Sequence, residues 1–214
     1  MTAQQANGIF RRSIADYHQT DHVDTPPDNP YPAGSIEHLL YLKNWIDTVQ
    51  WHLEDIIRSP DILAGNLVAI KRRIDASNQD RTDTVEKIDD CLLDSFKDSI
   101  RQPAARMNSE TPAWLLDRMS ILQLKIYHFR EQAGRQDASE THAERARQKL
   151  AVLMEQESDL AMCFDELAHD IGNGSRYVKV YRQMKMYNDP TLNPVLYGTT
   201  SPPTPLPLRG EQKP

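Results

Sequence analysis

Pro112-Ala113-Trp114-Leu115-Leu116-Asp117-Arg118-Met119-Ser120-Ile121-Leu122-Gln123-Leu124-Lys125-Ile126-Tyr127-His128-Phe129 is the stretch that decides the fold. Leu115, Met119, Leu122, Ile126 and Phe129 recur at the three- and four-residue steps of an α-helix. Trp114, Ile121 and Leu124 add a neighbouring apolar face. A helix apolar on so much of its circumference has to lie among other helices. Ser109 or Thr111 can cap it, Pro112 suits its first turn, and Gly134 stops it.

Working outward, three more helices are expected. After the stop at Gly134, a helix starts near Ser139 or Thr141. It carries Ala143, Ala146, Leu150, Leu153, Leu160, Phe164, Leu167 and Ile171 and ends at Gly172-Asn173-Gly174. Before the central helix lies a polar connection at residues 106–110. It is preceded by a stripe of Leu67, Ile70, Ile74, Val85, Ile88 and Leu92. That helix begins between Asp61 and Asn66 and is expected to run to about residue 100, ahead of Pro103. Earlier still, Ser35 caps a helix through Leu39, Leu42, Ile46, Val49, Leu53 and Ile56, which stops at Pro60. No run with the two-residue period of a strand occurs. The expectation is an all-α protein, an antiparallel bundle of four long helices, with a short basic helix or arm from Arg176 to Tyr187.

Residues 1–34 read as a leader, because Pro26, Pro27, Pro30 and Pro32 forbid regular structure before Ser35. Residues 35–195 read as one helical-bundle domain, and the proline-rich residues 196–214 as a disordered tail. The chain has 214 residues, 39% of them hydrophobic and 26% charged, a globular balance. Its net charge of −6 argues against a nucleic-acid partner. Apolar runs of a few residues exclude a membrane span, and residues 1–12 lack the apolar stretch of a secretory signal. Cys91 and Cys163 lack the spacing of a zinc finger and suit a reducing compartment, so a cytoplasmic location is expected. Self-association is left open.

Polar residues interrupt the apolar stripes. Asn78 and Arg81 fall in the second stripe and Glu157 in the fourth. His52 stands beside Val49 and Ile56 with Asp55 nearby, and Asp117, Lys125 and His128 lie among the apolar residues of the central helix. A charge inside a bundle is costly unless it is paired. Mid-helix positions suggest that Arg81 meets Glu157 in a polar layer with His52 and Asn78. Such a layer fixes helix register, or it lines a ligand site.

Other signals are weaker. Asp83, Glu86 and Asp89 follow at three-residue steps, a spacing that suits magnesium or a solvated acidic face. Glu86-x-x-Asp89 is half the carboxylate pattern of all-helical nucleotide pyrophosphohydrolases, whose other half is missing. The paired Glu-x-x-His of a di-iron site does not occur, and no metal ligand set is expected. Nor is there a phosphate loop or a nucleophile elbow, so no cofactor and no reaction is specified. Arg176, Lys179, Arg182 and Lys185, interleaved with Tyr177, Tyr181 and Tyr187, could hold a phosphate or pack as an amphipathic segment.

Four stretches together resemble a bacterial domain-of-unknown-function family, numbered forty-two fifty-four. They are residues 51–55; residues 71–83; Thr111-Pro112 with residues 117–128; and residues 181–190. The family's usual Arg-Asn-Asp reads Arg81-Thr82-Asp83 here. The resemblance covers about residues 35–195 and implies an all-helical fold and a link to surface-polysaccharide pathways, without a known reaction. Its motif residues include His52, Asn78, Arg81, Asp117 and His128.

The leading expectation is a protein that binds an anionic small molecule, a nucleotide sugar or sugar phosphate. Arg81, Lys125 and Arg182 would supply positive charge, Asn78 and His52 would orient the ligand, and Glu157 or Asp55 would fix Arg81 or His52. The alternatives are a metal-dependent nucleotide hydrolase using Asp83, Glu86 and Asp89, and an interaction protein whose polar layer is only structural.

Overall fold

Caps and breakers divide the chain into α1 (Ala3–Tyr17), α2 (Ile36–Ile57), α3 (Ala64–Ser95), β1 (Arg106–Met107), α4 (Pro112–Gly134), α5 (Glu140–Gly172) and β2 (Arg176–Tyr177). The structure is a computed structural model and describes residues 1–182. Met1–Val180 forms one compact unit, and Tyr181 and Arg182 belong to a second. The remainder of the expected basic arm and the expected tail lie outside the described residues. Among the described residues, no helix is long and apolar enough to cross a membrane.

The largest departure from expectation is α1. Residues 1–34 are not a leader outside the fold, because residues 3–17 form a helix inside it. Thr2 and Gln5 close a reciprocal capping box at its start. Ala6, Phe10 and Tyr17 are fully buried and Ile14 almost so. Polar ties anchor the helix as well, among them the Ala3 amide, which donates to Asp165 of α5 at 2.8 Å, and Ser13 Oγ, which donates to the Tyr41 carbonyl of α2 at 3.1 Å. The prolines therefore connect two core helices.

Ser35 and Ser139 cap α2 and α5 by accepting from the amides three residues on. Thr111 precedes α4, with Pro112 in its first turn. Its hydroxyl instead donates to Asp89 of α3 at 2.7 Å, so Asp89 ties the start of α4 to α3. As expected, α4 is buried on many sides: Leu115, Leu116, Met119, Leu122, Leu124 and Ile126 are all inaccessible. Leu115, Leu116 and Met119 belong to one core cluster with Phe10, Leu40, Trp45, Val85, Ile88 and Phe164 from the other helices.

Two further expectations are corrected. Helix α3 ends at Ser95 rather than near residue 100, where Phe96 turns against Gly172. Arg176 and Tyr177 form a short strand, not a helix or arm, parallel to Arg106 and Met107. Gly174 makes that pairing possible. Its φ is +78°, and a Cβ there would sit 2.0 Å from the Ile100 carbonyl oxygen.

Candidate functional site: a charged cleft beside a histidine cluster

The buried face of α2 is polar as well as apolar. Lys43, Asn44, Asp47 and Thr48 are inaccessible beside Leu40, Tyr41 and Trp45, whereas Leu39, Leu42, Ile46 and Val49 are half-buried. Lys43 and Asp47, one helical turn apart, form an ion pair with side-chain exposures of 1% and 4%. Charges this far from water need more than one partner. The Lys43 ammonium also lies 2.8 Å from Asp117 Oδ1 and donates to the Asp117 carbonyl at 3.1 Å. Ser120 Oγ donates to Asp47 at 2.6 Å.

Arg81 of α3 completes this network. Its Nε and Nη2 donate to the two carboxylate oxygens of Asp117, both at 2.8 Å, and Nε lies 3.7 Å from Asp47 Oδ1. Two cations thus meet two carboxylates. Burial alone would raise Asp117, but the bonds from Arg81 and the Lys43 charge hold its carboxyl below the usual range. Burial pushes Asp47 upward, with Lys43 opposing. Arg81 differs from the others in keeping 26% of its side chain exposed.

It lies at a cleft of about 290 Å³. Asp47, Gln50, Trp51, Glu54, Asp55 and Arg58 line it from a single face of α2, and Ile121 and Leu124 add an apolar wall from α4. Asn78 holds Gln50 in place by accepting from its amide at 3.0 Å. Arg58 pairs with Glu54 at 2.7 Å.

The expected pairing of Arg81 with Glu157 does not occur. Glu157 instead accepts from Arg11 at 2.9 Å and Gln123 at 2.8 Å, with Asn7 at 3.4 Å, because α5 packs against α1 and α4. The single polar layer of His52, Asn78, Arg81 and Glu157 is therefore several separate networks. Lys125 is exposed and takes no part in the cleft. Arg182 is exposed in the second unit. Asp83 accepts from Gln79, Glu86 is half-buried, and Asp89 serves α4, so these carboxylates form no shared metal cluster.

His52 and His128 do come together, with His18, which sequence reasoning missed along with α1. One ring nitrogen of each lies within 4.8 Å of the others. Among the described residues this is the one group of side chains spaced to hold a metal ion. Burial lowers the His52 pKa, aided by its two histidine neighbours and opposed by Asp21. Trp51 joins the two regions: it lines the cleft and stacks on His128 with ring centres 4.8 Å apart.

No curated protein and no solved structure matches the chain. A family model described as a protein of unknown function (DUF4254) matches residues 37–180. These residues include α2 but for its first residue, α3 to α5, the cleft and two of the three clustered histidines, and the chain belongs to that family.

Proposed function

We propose that the protein binds a phosphorylated monosaccharide in the cleft between α2, α3 and α4. One observation carries this reading: Arg81 is fixed by Asp117 through two of its nitrogens, while Nη1 takes no hydrogen bond among the described residues and the side chain stays partly exposed at the cleft. A guanidinium oriented in advance binds a phosphate without losing its own freedom. Arg58 is the second cation, and its ion pair with Glu54 is exposed enough to open at small cost. Glu54, Asp55 and Gln50 suit sugar hydroxyls, and Trp51 suits an apolar sugar face. A volume of about 290 Å³ lies at the small end of ligand sites and favours a sugar phosphate over a whole nucleotide sugar. The surface-polysaccharide context implied by the resemblance agrees with such a ligand. In this reading α2 to α5 form an antiparallel bundle, supported by the short connections at residues 58–63 and 135–139, with α1 as a fifth member.

A thermal-shift series tests the ligand class with glucose 1-phosphate, inorganic phosphate, glucose and UDP-glucose. A ligand at about a hundred times its Kd stabilises by about 2.7 kcal/mol, which raises Tm by about 5–11 °C in a chain of this size. The rise is expected with the sugar phosphate, less with phosphate or glucose, and much reduced in Arg58→Ala. No rise with any phosphorylated compound would overturn the proposal and leave the network a structural device.

A further inference from the structure

We infer that His18, His52 and His128, with Asp21 beside two of them, form a binding site for a divalent transition ion of the zinc class. Three helices deliver the histidines: His18 caps the C-terminus of α1, His52 comes from α2 and His128 from α4. Each imidazole is held against an aromatic face. His18 stacks on Tyr127 with centres 4.3 Å apart, His52 on Tyr17 at 5.1 Å and His128 on Trp51 at 4.8 Å. The rings meet one another at 64–73°, converging without stacking together.

Hydrogen bonding sets which nitrogens carry lone pairs. His18 Nδ1 lies 2.7 Å from the Ile14 carbonyl oxygen, which only accepts, so Nδ1 holds the proton and Nε2 the lone pair. His128 Nδ1 lies 3.1 Å from Glu131 Oε2, which places the His128 lone pair on Nε2 as well. That Nε2 is buried and has no hydrogen-bond partner among the described residues. A buried nitrogen without a partner is costly, and a metal ion would satisfy it. A carbonyl or carboxylate on the far nitrogen is the usual support for a metal-bound histidine.

Two nitrogens at tetrahedral zinc distances stand about 3.3 Å apart. His52 Nε2 already stands 3.3 Å from His18 Nε2, donating to its lone pair in a hydrogen bond that the ion would replace, and the ligand nitrogens of all three lie within 4.8 Å of one another. Asp21 Oδ1 lies 3.7 Å from His52 Nε2 and 4.0 Å from His18 Nε2. Asp21 reaches this place with φ at +50°, a left-handed conformation in which aspartate is among the better-tolerated residues. Its side chain is 60% exposed, so this side of the three-histidine group faces water. Three imidazoles and one carboxylate suit zinc, cobalt, nickel or copper and not magnesium or calcium. The site meets the sugar-phosphate cleft at Trp51 but does not depend on it, and either can fail alone.

The test uses the full chain without an affinity tag, stripped with chelator and titrated with Co²⁺ and then Zn²⁺. One equivalent of Co²⁺ is expected to bind with the visible bands of tetrahedral cobalt, to be displaced by one equivalent of Zn²⁺, and to raise Tm. His52→Ala and His128→Ala are expected to weaken Co²⁺ by on the order of a hundredfold or more, and Glu131→Met, which removes the acceptor behind His128 Nδ1, by about 10–100-fold. His142→Ala is expected to change nothing, since His142 lies outside the cluster. Far-UV circular dichroism checks that each variant keeps its helices. Glu131 is half-exposed, so its variant carries the test if the alanine variants unfold. Absence of stoichiometric Co²⁺ binding in the wild type overturns the inference. So does undiminished affinity in the folded histidine variants or in Glu131→Met.

Discussion

Lys43→Met is the sharpest perturbation of the buried network. It deletes an ammonium that is 1% exposed and leaves two carboxylates, Asp47 and Asp117, 4% and 5% exposed. Arg81 then serves both, yet it reaches Asp47 only at 3.7 Å. Removing one partner of a buried pair costs about 3–5 kcal/mol, because the remaining charge stays desolvated. For a chain of this length that loss corresponds to a Tm lower by about 6–20 °C. Urea unfolding followed by far-UV circular dichroism at pH 7 measures it. The double variant Lys43→Met/Asp47→Leu, which removes both charges, is expected to regain most of the loss. The pH dependence has a definite sign. Burial already raises Asp47, and Lys43 opposes the rise, so the folded-state pKa climbs further without it. A raised carboxylate contributes stability that is fully present below the unfolded value of 3.8 and is lost as pH rises through the folded value. The deficit of the variant should therefore be largest at neutral pH and narrow as the pH falls toward 3.8. A loss below about 1 kcal/mol at pH 7, in a variant that keeps its helices, would refute a desolvated network.

Two further outcomes test the fold. Phe10→Ala is expected to cost about 3–5 kcal/mol in denaturant unfolding, since a fully buried ring of α1 leaves a cavity among the other helices; a cost near zero would mean that α1 does not belong to the core. Gly174→Ala is expected to cost about 2 kcal/mol or more, from a backbone conformation that L residues avoid and from the approach to Ile100. The same variant should speed amide exchange at Asn108, whose N–H donates to the Tyr177 carbonyl across the strand pair.

Where the apolar period was long, the sequence was easy to read. The stripes of α4 and α5, the Ser35 and Ser139 caps and the stop at Gly172 placed these helices to within a residue or two. Helix α1 escaped because the proline segment after it looked like a boundary, although Thr2-x-x-Gln5 is a capping signal and Ala6, Phe10, Ile14 and Tyr17 share one face. That omission removed Arg11, the partner of Glu157, and His18, the third member of the histidine cluster. Lys43 and Asp47 were passed over for another reason. They sit on the side of α2 away from its most regular apolar stripe, so a search for gaps in stripes could not find them. Their four-residue spacing on the face that also carries Leu40, Tyr41 and Trp45 was the available signal. Arg81, Asp117, His52 and His128 were singled out, but which of them meet depends on helix rotation, which periodicity does not fix.

The binding reading is tested most directly at Trp51. Its indole N–H signal can be separated from those of the other two tryptophans by Trp→Phe substitution and followed by NMR during titration with glucose 1-phosphate. The Trp51 signal is expected to shift saturably while that of Trp114, outside the cleft, stays in place, and Arg58→Ala should weaken the response. A Trp51 signal that does not move, or three indole signals that drift together without saturating, would contradict a sugar-phosphate site in this cleft.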